Sequence, residues 1–317
     1  MSVLQVLRTL LGRLKPYLRW VIVGATLFFI GTVLRQNWAE VRELRLAEPG
    51  WLGLGLVVTL VAHIWAGWAW GGILAHLGQP VSGLWSTGVY LRTNVAKYLP
   101  GNVWHLYGRV VAAKQAGVST SAATLSVLLE PLLMAAAALM IALTSARQNQ
   151  LLQLACLLLV LAMIHPRVLN PLLGWAGRLK QSATSADSTG TAGSTGSAQS
   201  AQPSEPLQVK RYPVWPLLRE IGFVGLRGLG FVLTVWALQP VEASQIPSLI
   251  SAFSLAWVLG LVIPGAPGGI GVFEATALAL LDRQFPASLI LGSVALYRLI
   301  SLLAEVSGAG LGLGMRR

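Results

Sequence analysis

Long apolar stretches separated by short charged segments dominate this chain, and their lengths set its first reading. Trp20 to Leu34 is apolar apart from Thr26 and Thr32, and Tyr17-Leu18 extends it to spanning length. Trp51 to Leu74, Ala122 to Ser145, Gln150 to Ile164, Ile221 to Leu238 and Ala287 to Leu313 repeat the pattern. A helix needs about 20 mostly apolar residues to cross the hydrocarbon core of a bilayer. The pattern predicts an all-α, polytopic membrane helix bundle with six full transmembrane helices.

Two segments break the rule in matching ways. Leu84 to Lys114 places Arg92, Asn94, Lys97, Asn102, His105 and Arg109 among apolar pairs and is interrupted at Pro100-Gly101. Pro247 to Leu281 is apolar but stops at a run containing Pro264, Gly265, Pro267, Gly268, Gly269 and Gly271, then resumes as a short helix carrying Glu274. An interrupted helix leaves backbone groups that lipid cannot satisfy, so such breaks persist only beside protein or a polar cavity. Each segment is therefore predicted to be a re-entrant helix–break–helix hairpin, spanning 84–114 and 247–281. A paired break of this kind points to a transport site between two halves. For the first segment the plainer alternative is an amphipathic hairpin lying on the cytoplasmic membrane surface. Eight full spans is the alternative to six spans plus two hairpins.

Composition agrees with a lipid solvent. Only 11% of the 317 residues are charged, against about 25% in an ordinary soluble domain. No Asp, Glu, Lys or Arg falls between Glu48 and Arg92 or between Glu242 and Glu274. The net charge of +12 is not a nucleic-acid footprint, because the basic residues flank apolar segments instead of clustering on a polar domain. Arg8, Arg13, Lys15 and Arg19 precede the first span, and Arg167, Arg178, Lys180, Lys210, Arg211 and Arg219 surround a Ser/Thr/Gly-rich stretch at 181–208. That stretch reads as a flexible cytoplasmic linker between a first half (1–180) and a second half (209–317) of one integral membrane domain. Cytoplasmic loops carry the excess of Lys and Arg, so both termini are placed in the cytoplasm and the chain in the plasma (inner) membrane. The first hairpin then enters from the cytoplasm and the second from outside, which is the arrangement of an inverted pseudo-repeat. The basic, apolar N-terminus lacks a small-x-small cleavage site and reads as a retained signal anchor.

Ionisable groups at membrane depth cost roughly 2.5–3.5 kcal/mol each, so they face a bundle interior or a cavity. Here they are Glu130, Arg227, Glu274, Arg298 and Glu305, with Arg92, Lys97 and Arg109 on the first hairpin. Glu274 with Arg298 is the favoured pair, and Glu130, ahead of Pro131, suits either a bond to Arg109 or a substrate-sensing role. Arg298 and Glu305 share a helix face two turns apart and cannot pair with each other. The half-helix beginning near Val272 would present backbone N–H groups to an anion. Intramembrane salt bridges that only hold helices together are the competing account of all these charges. Trp65, Trp68 and Trp70 read as an interfacial cluster, His63 as a packing histidine, and Cys156, the single cysteine, as a small apolar group. No zinc-type histidine pair, phosphate loop or nucleophile elbow occurs, so neither an enzyme nor a metal or cofactor is expected.

Leu91-Arg92-Thr93-Asn94-Val95-Ala96-Lys97-Tyr98-Leu99-Pro100-Gly101-Asn102-Val103-Trp104, followed by Gly108-Arg109, resembles the signature of the lysylphosphatidylglycerol synthase transmembrane region, the flippase-like domain family. Glu130 and the run from Ile263 to Glu274 match that family's other marks in order. The resemblance implies a multispanning inner-membrane domain that translocates lipids between leaflets. The synthase also carries an aminoacyl-transferase domain after its membrane region. With the sequence ending at Arg317, a stand-alone member without that activity is expected. On this reading Arg92, Lys97 and Arg109 attract a lipid phosphate and Asn102 hydrogen-bonds it. Glu130 and Glu274 contact an amine or gate through ion pairs, with Arg298 as partner. The expected partners are anionic or zwitterionic membrane lipids. The alternative is a non-transporting accessory subunit of a lipid- or glycan-modifying membrane enzyme.

Overall fold

The computed structural model describes residues 46–98, 103–145, 150–171, 209, 211–262 and 271–315, and the regular structure among them is all helical. The expected first span, the linker at 181–208, Asn102, and the breaks at Pro100, Gly101, Pro264, Gly265, Pro267, Gly268 and Gly269 lie outside the described residues. The helices are α1 (Gly50–His76), α2 (Gly83–Asn94, continued by a 3-10 turn over Val95–Tyr98), α3 (Trp104–Gln115) and α4 (Thr120–Ala142). They continue as α5 (Gln150–Met163), α6 (Val214–Leu238), α7 (Ile246–Val262), α8 (Val272–Leu281) and α9 (Ala287–Gly314).

Four of these, α1, α4, α6 and α9, are long and apolar enough to cross a membrane. At 23 to 28 residues they extend about 35–42 Å, beyond the roughly 30 Å of a hydrocarbon core. Their surfaces agree with that setting. Leu54, Val57 and Val61 of α1 and Leu303 and Val306 of α9 are exposed, while Thr59, His63, Ser301 and Glu305 are buried. Apolar outside with polar inside is the arrangement of a helix bundle solvated by lipid. The molecule thus has the character of an integral membrane protein.

Six spans are not reached among the described residues. The expected fourth span, Gln150–Ile164, is α5, which has 14 residues and so covers only about 21 Å. The fifth begins seven residues before its expected start at Ile221, because α6 opens at Val214. The expected hairpins are each two short packed helices: α2 touches α3, and α7 touches α8. Pro131 stands inside α4 without ending it. The backbone hydrogen bond lost to its missing N–H is tolerated where the surrounding helices hold the segment.

Small residues set how closely the helices approach. α1 and α6 run antiparallel: Trp51 stacks on Trp236 at 5.0 Å, and Trp65 donates its indole N–H to the Arg219 carbonyl at 2.8 Å. Gly67 of α1 faces α2 so closely that a Cβ there would stand 2.6 Å from Thr87 Cα. In lipid, helix association rests on such contact and not on hydrophobic exclusion. Trp70 is no interfacial residue: it is fully buried and donates to Ser126 Oγ at 3.1 Å. A buried indole N–H needs that acceptor.

Candidate functional site at the middle of α9

Helix α9 collects charge from both hairpins. From its C-terminal end, α2 lies along it antiparallel: Arg92 Nη1 donates to the Gly312 carbonyl at 2.8 Å, and Leu91 packs where a Gly308 Cβ would sit. A cation at a helix C-terminus is favourably placed for the carbonyls and the dipole there. Further along the same arm, Lys97 Nζ reaches Glu305 Oε1 at 2.6 Å. From the opposite end, Leu281 of α8 shares one hydrophobic cluster with Leu289 and Ile290 at the start of α9. Seven residues before Leu281, Glu274 Oε1 pairs with Arg298 Nη2 at 2.8 Å. The two hairpins therefore approach α9 from opposite ends and reach its middle with charges of opposite sign.

The local chemistry explains each position. Gly271 takes φ +85° immediately before α8, a conformation open to glycine. Its N–H donates to Glu274 Oε2 at 2.8 Å, so this carboxylate folds back over the helix start as a capping-box residue does. The half-helix N-terminus expected to receive an outside anion thus already holds the chain's own carboxylate. Arg298 and Glu305, seven apart, lie on one face of α9 about 10 Å from each other along the axis, and each takes a different hairpin as partner.

Glu305 is the hub of a larger group. His63 Nε2 of α1 lies 3.5 Å from Glu305 Oε1 and 3.2 Å from Arg227 Nη1. Tyr297 donates its hydroxyl to the Arg227 carbonyl at 2.9 Å, and the Arg227 guanidinium stands 5.2 Å from the Tyr297 ring centre. His63 is therefore part of a charged network spanning α1, α6, α9 and the first hairpin, and not a lone packing group.

A second, more enclosed group lies between α2, α3, α4 and α6. Arg109 Nη1 bonds Glu130 Oε2, with both side chains almost fully buried. The Arg109 guanidinium stacks 3.9 Å over the Tyr90 ring, where cation and ring quadrupole attract. Glu220 is also fully buried and lies within the electrostatic reach of Glu130 and Arg109. A span that starts at Ile221 excludes Glu220, whereas α6 opens at Val214 and buries it. The signal was present: Glu220, Phe223, Val224 and Arg227 follow helical spacing on the buried face. Outside the spanning helices, His105 is held down to about 3 by burial, then by the charges of Arg109 and Lys97. It stays a neutral imidazole through the physiological range.

Of the predicted site residues, Lys97, Glu274 and Arg298 converge on the middle of α9. Arg109 and Glu130 form the enclosed pair, and Arg92 binds the end of α9. No family model matches the chain. A segment of 106 residues, 32% of the chain, is 30% identical to an uncharacterized protein of Synechocystis sp.. The match covers 33% of that protein's length.

Proposed function

We propose that this chain is a stand-alone, flippase-like membrane protein that carries anionic or zwitterionic lipid headgroups between leaflets. The single observation behind this reading is the pair of hairpin-to-α9 ion pairs, Lys97–Glu305 and Glu274–Arg298. A zwitterionic headgroup offers both of the charges these pairs use. Its phosphate competes with Glu305 for Lys97, and its amine competes with Arg298 for Glu274. Such exchange keeps every charge partnered while the bundle opens, which matters because an isolated charge at membrane depth is costly. Two turns of α9 separate the pairs, so a headgroup passes from one to the other. The sequence motifs that resemble the lysylphosphatidylglycerol synthase transmembrane region support the same substrate class.

Purified protein reconstituted into vesicles containing a fluorescent phospholipid tests the proposal by chemical quenching of the outer leaflet. Transbilayer movement faster than in protein-free vesicles is expected, and Glu274→Gln should slow it. Movement equal to that in protein-free vesicles overturns the reading.

A further inference from the structure

Among the described residues, the enclosed group on α2, α3, α4 and α6 does not balance its charges. Two carboxylates, Glu130 and Glu220, face one guanidinium, Arg109, and Arg109 is already committed to Glu130. Among the described residues neither oxygen of Glu220 has a hydrogen-bond partner, and Glu130 Oε1 and Arg109 Nε also lack one. Glu220 is fully buried and Glu130 is 2% exposed. An ionised carboxylate with no partner in such a place is among the most costly arrangements a protein can hold.

The charged and titratable surroundings decide what compensates it. On α4 the facing group is Glu130, on α3 Arg109, and on α2 Tyr90. Helix α7 brings no ionisable side chain. His63 of α1 and Glu305 of α9 belong to the other network, and Arg298 is turned to Glu274. On α6 itself, Arg219 lies 3.7 Å over the Trp68 ring and Arg227 lies beside His63. A metal cation would need several oxygen ligands and would be repelled by the neighbouring guanidinium. A proton needs neither.

We propose that Glu130 and Glu220, opposite Arg109, form a binding site for one exchangeable proton, carried by Glu220. The step is a simple ionisation: the Glu220 carboxyl releases its proton to water and becomes a carboxylate. The new anion then competes with Glu130 for Arg109, and Arg109 ties α3, the second arm of the first hairpin, to α4. Occupancy of this site thereby reaches the hairpin whose Lys97 meets α9. The proton site itself stands apart from the lipid-transport reading.

Infrared spectroscopy of the purified protein in lipid nanodiscs tests this without measuring lipid movement. At neutral pH the wild type should show the carbonyl stretch of a protonated, buried carboxyl group, with the small downshift that deuterium exchange produces. Glu220→Gln should remove it. Glu130→Gln should remove it too, since a single carboxylate then balances Arg109. Glu274→Gln, in the separate accessible pair, should leave it in place. Absence of the band from the wild type, which requires no variant to fold, overturns the proposal. So does a band that persists in Glu220→Gln, or sodium-dependent thermal stabilisation that is lost in Glu220→Gln.

Discussion

The two hairpins meet the same helix through ion pairs of opposite sense, yet they sit in different surroundings. Around the first, α2 and α3 pack on a core rich in alanine, Ala62, Ala66, Ala113, Ala122, Ala123 and Ala136 among them. The Arg109 and Glu130 side chains there are only 3% and 2% exposed. Around the second, α7 and α8 pack on an aromatic cluster in which Phe231, Phe253, Phe273 and Tyr297 meet edge-on or tilted at 5.5–6.2 Å. Its ion pair remains partly open, with Arg298 16% and Glu274 22% exposed. Small side chains let backbones close around charge and exclude everything else, whereas large rings hold helices further apart. The first hairpin is thus anchored by a pair that cannot be broken cheaply. The second is held by a pair that an incoming charge can reach.

That contrast can be broken most forcefully at Arg109. Arg109→Ala leaves Glu130 and Glu220 buried together without their cation, and should cost on the order of 3–5 kcal/mol, read as a lowered unfolding midpoint in detergent. An Arg109→Ala protein as stable as the wild type would remove the distinction between the hairpins. Next in size is Gly67→Ala, whose Cβ would stand 2.6 Å from Thr87 Cα and force α1 from α2. A loss of about 1–3 kcal/mol is expected from such overpacking, with the same change at open Gly53 serving as control.

A smaller effect belongs to the second hairpin. A double-mutant cycle on Glu274 and Arg298 should give a coupling of about 0.2–1 kcal/mol, as accessible pairs do. The same two substitutions should change lipid movement far more than stability. A coupling as large as that of Arg109 with Glu130 would make both pairs structural. A separate check is the pH response of His105. Its folded value is about 3 against roughly 6.5 in an unfolded chain. The unfolded state therefore binds the extra proton in this window, and stability is full above the unfolded value and falls as pH drops toward the folded one. His105→Gln should narrow the difference between melting curves taken at neutral pH and in mild acid.

Much of this was legible in the residue pattern. The boundaries of α1 and α9 follow from apolar runs ended by charge or by Pro286, and Glu274 with Arg298 is the pairing that the scarcity of charge suggests. Other features were not legible. Nothing local distinguishes Trp70, a core residue, from Trp68, which is 40% exposed; both lie in one apolar run. Lys97 finds Glu305 across 208 positions of sequence, and no periodicity reports a contact at that separation. Glu220 was hidden because apolar content alone marks where a span begins, while a helix can draw in a polar turn if other helices cover it.

By itself, then, the sequence determined the lipid solvent, the helical character and the presence of two segments that combine proline, glycine and charge. Each of these depends on the free energy of a residue in its own stretch of chain, in lipid or in a helix. Only the tertiary structure decided which charges neutralise which, that α9 receives both hairpins, and that the buried Glu220 carboxyl has no hydrogen-bond partner among the described residues. Those outcomes depend on helix crossings and close approach, which are properties of pairs of elements and are written in no single one of them.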